Sequence, residues 1–233
     1  MILVSGFQKN SFIDYPGKIA SVVFLGGCNF RCYYCHNSSI LCASSNRLNF
    51  DLVLDELKQQ IGFVDGVVIT GGEPTLHPKL VQIVKAIKRL GLLVKLDTNG
   101  TNSGLLKRLI DKCLIDFVAM DVKAPIKRYA DIVCVKVNTD EIQRSVDFLI
   151  EQATTHNVNY MFRTTLAPVL NADDILAIGK LISGAKTFQL QQFVPNDFSN
   201  SHKTVLLPYT VEQAKEFAQL IQPHVEEVLM RGF

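Results

Sequence analysis

The sequence lacks three features that would place it in a membrane, on a secretory route or on nucleic acid. None of its apolar runs approaches the roughly 18 residues needed to cross a bilayer. Its start has no basic flank, and the polar residues 8–10 interrupt the short apolar stretch there. The 24 Lys and Arg residues against 22 Asp and Glu leave a net charge of +2 and no long basic run. These absences predict a cytoplasmic protein that binds neither membranes nor nucleic acid.

The sequence also lacks low-complexity segments, Gly/Ser-rich or Pro-rich linkers and internal repeats, which would divide a chain of 233 residues. Its 48% of apolar residues can build a core without disulfides. We therefore predict a single domain over residues 1–233. In a reducing compartment, clustered cysteines are more typical of metal binding than of disulfides.

What the sequence does have is a regular alternation of short apolar segments, rich in β-branched residues, with amphipathic stretches. Nearly continuous apolar runs are typical of parallel strands that are covered on both faces. The predicted strands are 20–25, 65–70, 92–97, 116–121, 158–165 and 187–194, with a further edge strand near 2–7. The predicted helices are 50–62, 78–90, 103–113, 140–156, 171–183 and 210–221. Six βα units predict an α/β fold, either a partial (β/α)6 TIM-like barrel or an open curved sheet, with chemistry at the carboxyl ends of the strands.

A cysteine cluster follows the first of these six strands. Cys28, Cys32 and Cys35 are three of the six cysteines and have the spacing C-x3-C-x2-C. Three thiolates on a short loop suit one face of an iron–sulfur cube and leave the fourth iron open to an exchangeable ligand, whereas an electron carrier normally uses four. The pattern predicts a [4Fe–4S] cluster. The cysteines without such spacing are interpreted as small apolar or surface residues: Cys42, Cys113 and Cys134.

Other interpretations of the cysteine loop stay open. Cys32-Tyr-Tyr-Cys35-His36 matches the C-x-x-C-H haem attachment pattern, but that chemistry requires export and leaves Cys28 unexplained. A structural zinc ion could take the three thiolates and His36, although adjacent ligands at 35 and 36 fit a tetrahedron poorly. Thiols buried in an ordinary core would have no reason to adopt this spacing.

The C-x3-C-x2-C motif, with an aromatic residue before its third cysteine, resembles the radical S-adenosylmethionine (SAM) superfamily. In that family the amino and carboxylate groups of SAM chelate the open iron, and reductive cleavage gives a 5′-deoxyadenosyl radical. The resemblance implies that Gly71, Gly72 and Glu73, which follow the second strand, bind the amino group of SAM. Taken alone, this Gly-Gly-Glu-Pro segment is equally typical of a turn.

The third and fourth strands end in Asp-Thr-Asn-Gly (97–100) and Asp-Val-Lys (121–123). Taken singly, each Asp is equally typical of a helix cap. In this order the motifs resemble the pyruvate formate-lyase activating enzymes, which implies that Lys123 contacts the SAM carboxylate. The same resemblance implies a monovalent cation site made by two side chains and two carbonyls, those of Asp97 and Asp121 and those of Thr98 and Ala119.

Five polar residues carry weaker signals. Asn37 either hydrogen-bonds the nucleoside of SAM or supports a turn, and Tyr34 either lies along the adenine or packs under the loop. Arg163 points either into the site or towards a surface carboxylate, because strand alternation alone does not decide. His36 and His77 are interpreted as loop histidines.

Over nearly the whole chain, five segments resemble the anaerobic ribonucleoside-triphosphate reductase activating proteins: SFIDYPGKIASVVFLGGCNFRCYYCHN, VVITGGEPTLHPKL, GLLVKLDTNGT, DFVAMDVKAP and VLMRGF. The resemblance implies a radical SAM activase that generates a glycyl radical on the large subunit of the reductase, with flavodoxin or ferredoxin as the electron donor. The Asp-Tyr-Pro-Gly segment (14–17) and the lack of an eight-cysteine ferredoxin insert favour this branch over the pyruvate formate-lyase activases.

Three alternatives remain at this stage. The chain could activate another glycyl-radical enzyme of the pyruvate formate-lyase type. It could instead be a radical SAM enzyme acting on a small molecule, such as a carboxy-deazaguanine synthase. It could also be a non-catalytic iron–sulfur or zinc protein that docks on a partner.

Overall fold

The computed structural model describes residues 2–35, 47–155, 158–195 and 207–233. Its strands are β1 (Leu3–Val4), β2 (Gly6–Tyr15), β3 (Lys18–Leu25), β4 (Leu48–Asn49), β5 (Gly66–Gly71), β6 (Leu93–Thr98), β7 (Phe117–Asp121), β8 (Asn159–Leu166), β9 (Ala185–Gln192) and β10 (Val225–Arg231). Its α-helices are α1 (Phe50–Gln59), α2 (Leu80–Arg89), α3 (Ser103–Asp111), α4 (Tyr129–Val133), α5 (Thr139–Thr155), α6 (Ala172–Leu181) and α7 (Val211–Ile221).

The central sheet has eight strands in the order β10-β9-β8-β7-β6-β5-β3-β2. All neighbours from β10 to β3 are parallel, and only β2 runs antiparallel to its neighbour β3. Helical segments connect the seven parallel strands, so six βα units are followed by one more strand. This arrangement confirms the predicted α/β fold of the partial TIM-like barrel kind.

The two faces of the sheet carry different side chains, because successive residues of a strand point to opposite faces. In β6, Val94 and Leu96 belong to the large core between sheet and helices. Leu93 packs instead on a small cluster on the other face, formed by Tyr15, Ala20, Val22 and Val68. Lys95 and Asp97 share the face of Leu93, so a lysine and an aspartate point into the concave side of the sheet.

Capping residues fix where two of the predicted helices begin. Asn171 accepts from the Asp174 amide, and the Asp174 carboxylate accepts from the Asn171 amide, which forms a capping box at the start of α6. At α7 the Thr210 hydroxyl accepts from the Gln213 amide, and the Gln213 side chain accepts from the Thr210 amide, which forms a second capping box.

Several elements were not predicted or were predicted too short, among them the two-residue strand β4. The edge strand expected near 2–7 is β2, which extends to Tyr15, while residues 3–4 pair separately with β4. Strand β10 and the short helix α4 were missed. None of the described helices is long and apolar enough to span a bilayer.

Candidate active site

A cavity of about 210 Å³ lies where the carboxyl ends of the parallel strands converge. It brings together most of the residues that the sequence singled out, although they are far apart along the chain. The residues predicted for the site that line this cavity are Cys28, Cys32, Tyr34, Cys35, Gly71, Gly72, Asp97, Thr98, Asp121, Lys123 and Arg163. Phe30, Thr70, Asn99, Thr165 and Gln191 complete the wall and were not predicted as site residues.

The three clustered cysteines share this cavity as free thiols, Cys32 being buried and the others partly buried. The amide of Phe30 donates to Cys28 Sγ over 3.4 Å, and the amide of Cys35 donates to the Cys32 carbonyl over 3.1 Å. Burial raises the pKa of Cys28, and it raises that of Cys32 to about 11. Cys28 and Cys32 therefore lose their protons less readily than a free cysteine, and metal binding would have to release them.

Glycines let the segment after β5 lie directly against the cysteine loop. The Gly72 amide donates to the Leu25 carbonyl over 2.9 Å, and the Glu73 amide donates to the Gly27 carbonyl over 2.8 Å. A Cβ atom at Gly72 would lie 2.0 Å from the Gly27 oxygen, and Gly71 has a φ of +123°. Only glycine fits this contact, which leaves the backbone of both glycines bare at the cavity.

The Glu73 side chain is not among those that line the cavity, and its predicted contact with the SAM amino group stays a prediction. It is 1% exposed. Its Oε1 accepts from the Thr75 amide at 3.0 Å, the Thr75 hydroxyl at 2.5 Å and the Thr98 hydroxyl at 2.8 Å. Its Oε2 accepts from the Asn99 amide at 2.7 Å. Burial raises the pKa of Glu73, which these hydrogen bonds oppose.

Five charged side chains form a chain of ion pairs along one side of the cavity. Lys95 donates to Asp97 Oδ1, and Arg163 Nη1 lies 3.3 Å from Asp97 Oδ2. Arg163 Nε donates to Asp121 Oδ1 over 2.8 Å, and Lys123 Nζ donates to Asp121 Oδ2 over 3.0 Å. The orientation of Arg163, which alternation left open, is therefore inward.

Within this array the ion pairs outweigh the effect of burial on three side chains. Burial alone would raise the pKa of Asp121, but Arg163 and Lys123 lower it to about 2. Burial would lower the pKa of Arg163, but Asp121 and Asp97 raise it. The pKa of Lys123 is likewise raised by Asp121 against the effect of burial.

Lys95 shows the opposite balance. Burial lowers the pKa of Lys95 more than the charge of Asp97 raises it. The Asp97 pKa is lowered, because Arg163 and Lys95 together outweigh the upward effect of its burial.

The predicted monovalent cation site has other occupants. Both oxygens of Asp97 and both oxygens of Asp121 accept from protein cations. Of the two residues whose carbonyls were predicted as ligands, Thr98 lines the cavity, whereas Ala119 is fully buried and does not. Among the described residues, no three His, Cys, Asp or Glu side chains are placed to hold a single metal ion.

A hydrogen-bonded triangle that the sequence did not reveal joins the cysteine loop to the end of β6. Asn99 Nδ2 donates to Asn29 Oδ1 over 2.9 Å, and Asn29 Nδ2 donates to the Thr101 hydroxyl over 2.9 Å. That hydroxyl donates in turn to Asn99 Oδ1 over 2.7 Å. The sequence signal for this triangle was Asn99 in the Asp-Thr-Asn-Gly motif. Only the first two residues of that motif had been assigned roles.

The remaining predicted residues are placed as follows. Tyr34 is 3% exposed and lines the cavity, and its hydroxyl has no hydrogen-bond partner in the described part of the chain. Cys113 and Cys134 are exposed, which confirms them as surface residues. His77 is outside the cavity lining. The predictions for Asn37, His36 and Cys42 fall outside the described residues.

A second cavity of about 450 Å³ adjoins the first and shares Thr70, Asp97, Arg163, Thr165 and Gln191 with it. It reaches the open edges of the sheet. There Asp14 of β2 and Arg231 of β10, the two outermost strands, form an ion pair of 3.6 Å.

The donor set of the first cavity fits an iron–sulfur cluster with a bound amino acid. Three thiols line one wall, the bare backbone of two glycines faces them, and lysine and arginine side chains approach from the other side. A half-barrel with such a loop at the carboxyl ends of its strands is the architecture of radical SAM enzymes.

Comparison with known proteins identifies the family. The model of the radical SAM superfamily matches residues 22–182. The chain is 34% identical over 232 residues, 98% of this chain and 95% of the other, to a Methanocaldococcus jannaschii protein that carries the name of a glycyl-radical enzyme activating enzyme. It is 25% identical to the pyruvate formate-lyase-activating enzyme of Clostridium pasteurianum, over 97% of this chain and 98% of that one.

The fold matches as well. The structure of Streptococcus suis SuiB bound to S-adenosylmethionine superposes with a TM-score of 0.64 at 13% identity, over 88% of this chain and 45% of that one. This chain belongs to the radical SAM superfamily and is a homologue of glycyl-radical enzyme activating enzymes. Its cofactors are those of the family, a [4Fe–4S] cluster and SAM.

Proposed function

We propose that this chain is an activase that reductively cleaves SAM and generates a glycyl radical on anaerobic ribonucleoside-triphosphate reductase. The observation that carries the proposal is the shared cavity, in which three thiols meet a cation-rich wall beside a second, larger cavity. The homologue that is 34% identical over 98% of the chain supports the glycyl-radical class of target.

When bound, the cluster supplies the electron that cleaves the sulfonium, and SAM supplies the radical that removes hydrogen. The protein's part is to hold and orient. Cys28, Cys32 and Cys35 would hold the cluster, and the exposed backbone at Gly71 and Gly72 would accept the ammonium of SAM.

The charge array suits the carboxylate of SAM. Three cations, Lys95, Lys123 and Arg163, face two carboxylates, Asp97 and Asp121, so the array carries one positive charge in excess. Lys123 is the last member of the chain of ion pairs, on the side of the cysteines, and it lines the cavity. The carboxylate of SAM would accept a hydrogen bond from its ammonium there.

Tyr34 is placed for the nucleoside. Its ring is buried in the cavity wall, in an edge-on contact with the ring of Tyr33 whose centroids are 5.1 Å apart. A base lying along this ring would gain roughly 1–3 kcal/mol from stacking. Its hydroxyl could also pair with a polar atom of the bound nucleoside.

The second cavity offers a place for the peptide that carries the glycine. The shared residues Thr70, Thr165 and Gln191 provide hydroxyl and amide groups, which pair with the N–H and C=O groups of a peptide backbone. The ion pair between Asp14 and Arg231 lies at the edge of this cavity, where the peptide would enter. A glycine bound here would lie next to the nucleoside, and the hydrogen atom would pass from its Cα to the 5′ carbon.

The choice of the reductase as the target rests on the resemblance of the whole chain to its activating proteins. Flavodoxin or ferredoxin is the proposed electron donor, and the reaction is proposed to take place in the cytoplasm.

The test offers the target enzymes side by side. The reconstituted protein, SAM and a reductant should produce a doublet in the electron paramagnetic resonance spectrum of the reductase, because the remaining α-hydrogen splits the line of a glycyl radical. Replacement of the C-terminal glycine of the reductase by alanine should abolish the doublet. Cys32→Ala in the activase should abolish it too, whereas Cys113→Ala, at an exposed cysteine outside the cavity, should not.

Three outcomes would count against the proposal at different levels. A stronger signal on pyruvate formate-lyase would keep the reaction and change the target. Consumption of a small molecule, with no radical on either protein, would replace the activase by a small-molecule enzyme. A protein that holds stoichiometric zinc and cleaves no SAM would be a docking protein.

A further inference from the structure

The monovalent cation implied by the family resemblance does not fit the charge array of this chain. A cation held by Asp97 and Asp121 would bind their carboxylate oxygens, and a positively charged side chain already in contact with such an oxygen repels it. All four of these oxygens already face a lysine or an arginine within the described structure. A metal ion would have to displace one of these side chains.

Lys95 is the cation that a metal would have to displace first. Its side chain is 2% exposed, and its ammonium contacts Asp97 Oδ1. It lies in β6 between Val94 and Leu96, yet it points to the opposite, concave face of the sheet. A lysine is almost never fully buried without a partner, and Asp97 is the only acceptor that the described contacts give it.

The position of Lys95 separates it from the cofactor. It does not line the cavity, whereas Asp97, Arg163 and Lys123 do. The charge of Lys95 therefore acts on the site indirectly. Asp97, which pairs with Lys95, also pairs with Arg163. Arg163 pairs in turn with Asp121, and Asp121 pairs with Lys123.

We propose that Lys95 takes the place of the monovalent cation as a positioning residue. Its ammonium supplies the fixed positive charge beside Asp97, so that this chain binds SAM without sodium or potassium. The inference rests on the SAM site of the proposed function and is independent of which protein receives the radical.

The first test needs no variant. The affinity of the reconstituted wild-type protein for SAM is measured by calorimetry in choline chloride and then in potassium or sodium chloride at the same ionic strength. Choline is too large to enter a pocket between two carboxylates. We expect affinities that agree within about twofold, and a gain of tenfold or more in potassium or sodium would overturn the proposal.

The second test uses Lys95→Met, which keeps the length of the side chain and removes its charge. In choline chloride this variant should bind SAM at least tenfold more weakly than the wild type, because Asp97 then draws Arg163 away from Asp121. Potassium or sodium should restore most of the loss by occupying the vacated place.

The matched control is Lys88→Met. Lys88 pairs with Asp116 over 2.8 Å on the helix side of the sheet, so its loss should change SAM affinity in neither salt. Unchanged affinity of Lys95→Met in choline would contradict the proposal, and so would a loss that neither cation restores. If Lys95→Met fails to fold, the wild-type comparison decides alone. Absence of SAM binding by the wild type in every salt would overturn the SAM site itself and this inference with it.

Discussion

At the scale of single residues, four donors hold the Glu73 carboxylate below the cavity. They come from Thr75, Thr98 and Asn99, so one side chain fixes the start of the Pro74–Leu76 turn and the end of β6. A buried carboxylate with this many donors is a structural support for the cavity wall. Gly71 and Gly72 of the same motif line the cavity itself.

Glu73→Gln tests this role. The amide oxygen of glutamine can replace one carboxylate oxygen, but its NH2 group would meet either the Asn99 amide or the donors of Thr75 and Thr98. We expect the free energy of unfolding of the cluster-free protein to fall by about 2 kcal/mol, measured by urea denaturation.

Glu216→Gln is the matched control, since Glu216 is exposed on α7 and its replacement should leave the stability within about 0.5 kcal/mol. If Glu73→Gln weakened SAM binding more than tenfold while leaving the free energy of unfolding unchanged, the carboxylate would contact SAM directly and its supporting role would be wrong.

At the scale of elements, the cavity depends on the contact between the cysteine loop and the segment after β5. That contact is made by backbone alone, with the Gly72 and Glu73 amides donating to carbonyls at the end of β3 and the start of the loop. Its closeness leaves no room for a side chain.

Gly72→Ala should therefore separate the two segments. The new Cβ would lie 2.0 Å from the Gly27 oxygen and 3.2 Å from Cys28 Cβ, so the backbone of the loop must move. We expect the anaerobically reconstituted variant to lose most of the roughly four irons per chain that a single cube provides. Iron and sulfide analysis measures this.

Gly104→Ala serves as the control, because an added Cβ there meets nothing closer than Arg108 Nη1 at 4.0 Å and alanine favours the helix. It should retain its iron. A Gly72→Ala protein with full iron content and unaltered SAM affinity would show that the close contact does not shape the site.

The strands and helices that could be predicted from the sequence are those whose signal lies within the element itself. The six central strands are nearly continuous apolar runs, and the Asn171 cap sits at the start of its helix. Strand β10 was missed because the exposed Glu226 and Glu227 interrupt its pattern. The polar strand β2 was cut short for the same reason, since several of its residues face outward at the edge of the sheet.

The cysteine loop and the strand-end motifs could also be recognised from the sequence, but the contacts between their side chains could not. The inward orientation of Arg163 depends on the register of β7 and β8, which places it opposite Asp121. Strand alternation already places Lys95 on the same face as Asp97, but Lys95 was assigned no role because it lies in an otherwise apolar strand. Glu73 was assigned to SAM from the family resemblance, and its four donors were not visible because Thr75 follows β5 whereas Thr98 and Asn99 lie at the end of β6.

At the scale of the whole molecule, the open side of the sheet lies between β2 and β10, where the described residues show the ion pair of Asp14 with Arg231. The larger cavity reaches this side and the cysteine-lined cavity lies behind it. This is the side from which we propose that the target peptide enters. The prediction of a single domain over residues 1–233 stays a prediction.

The measurement that tests the central claim most directly follows the hydrogen atom itself. The reductase is produced with glycine carrying deuterium at both α positions and is incubated with the reconstituted activase, SAM and reductant. If this chain generates the glycyl radical through SAM, mass spectrometry should find one deuterium in each 5′-deoxyadenosine formed, in step with the radical. 5′-Deoxyadenosine that stays unlabelled while the radical appears on the reductase would contradict the account.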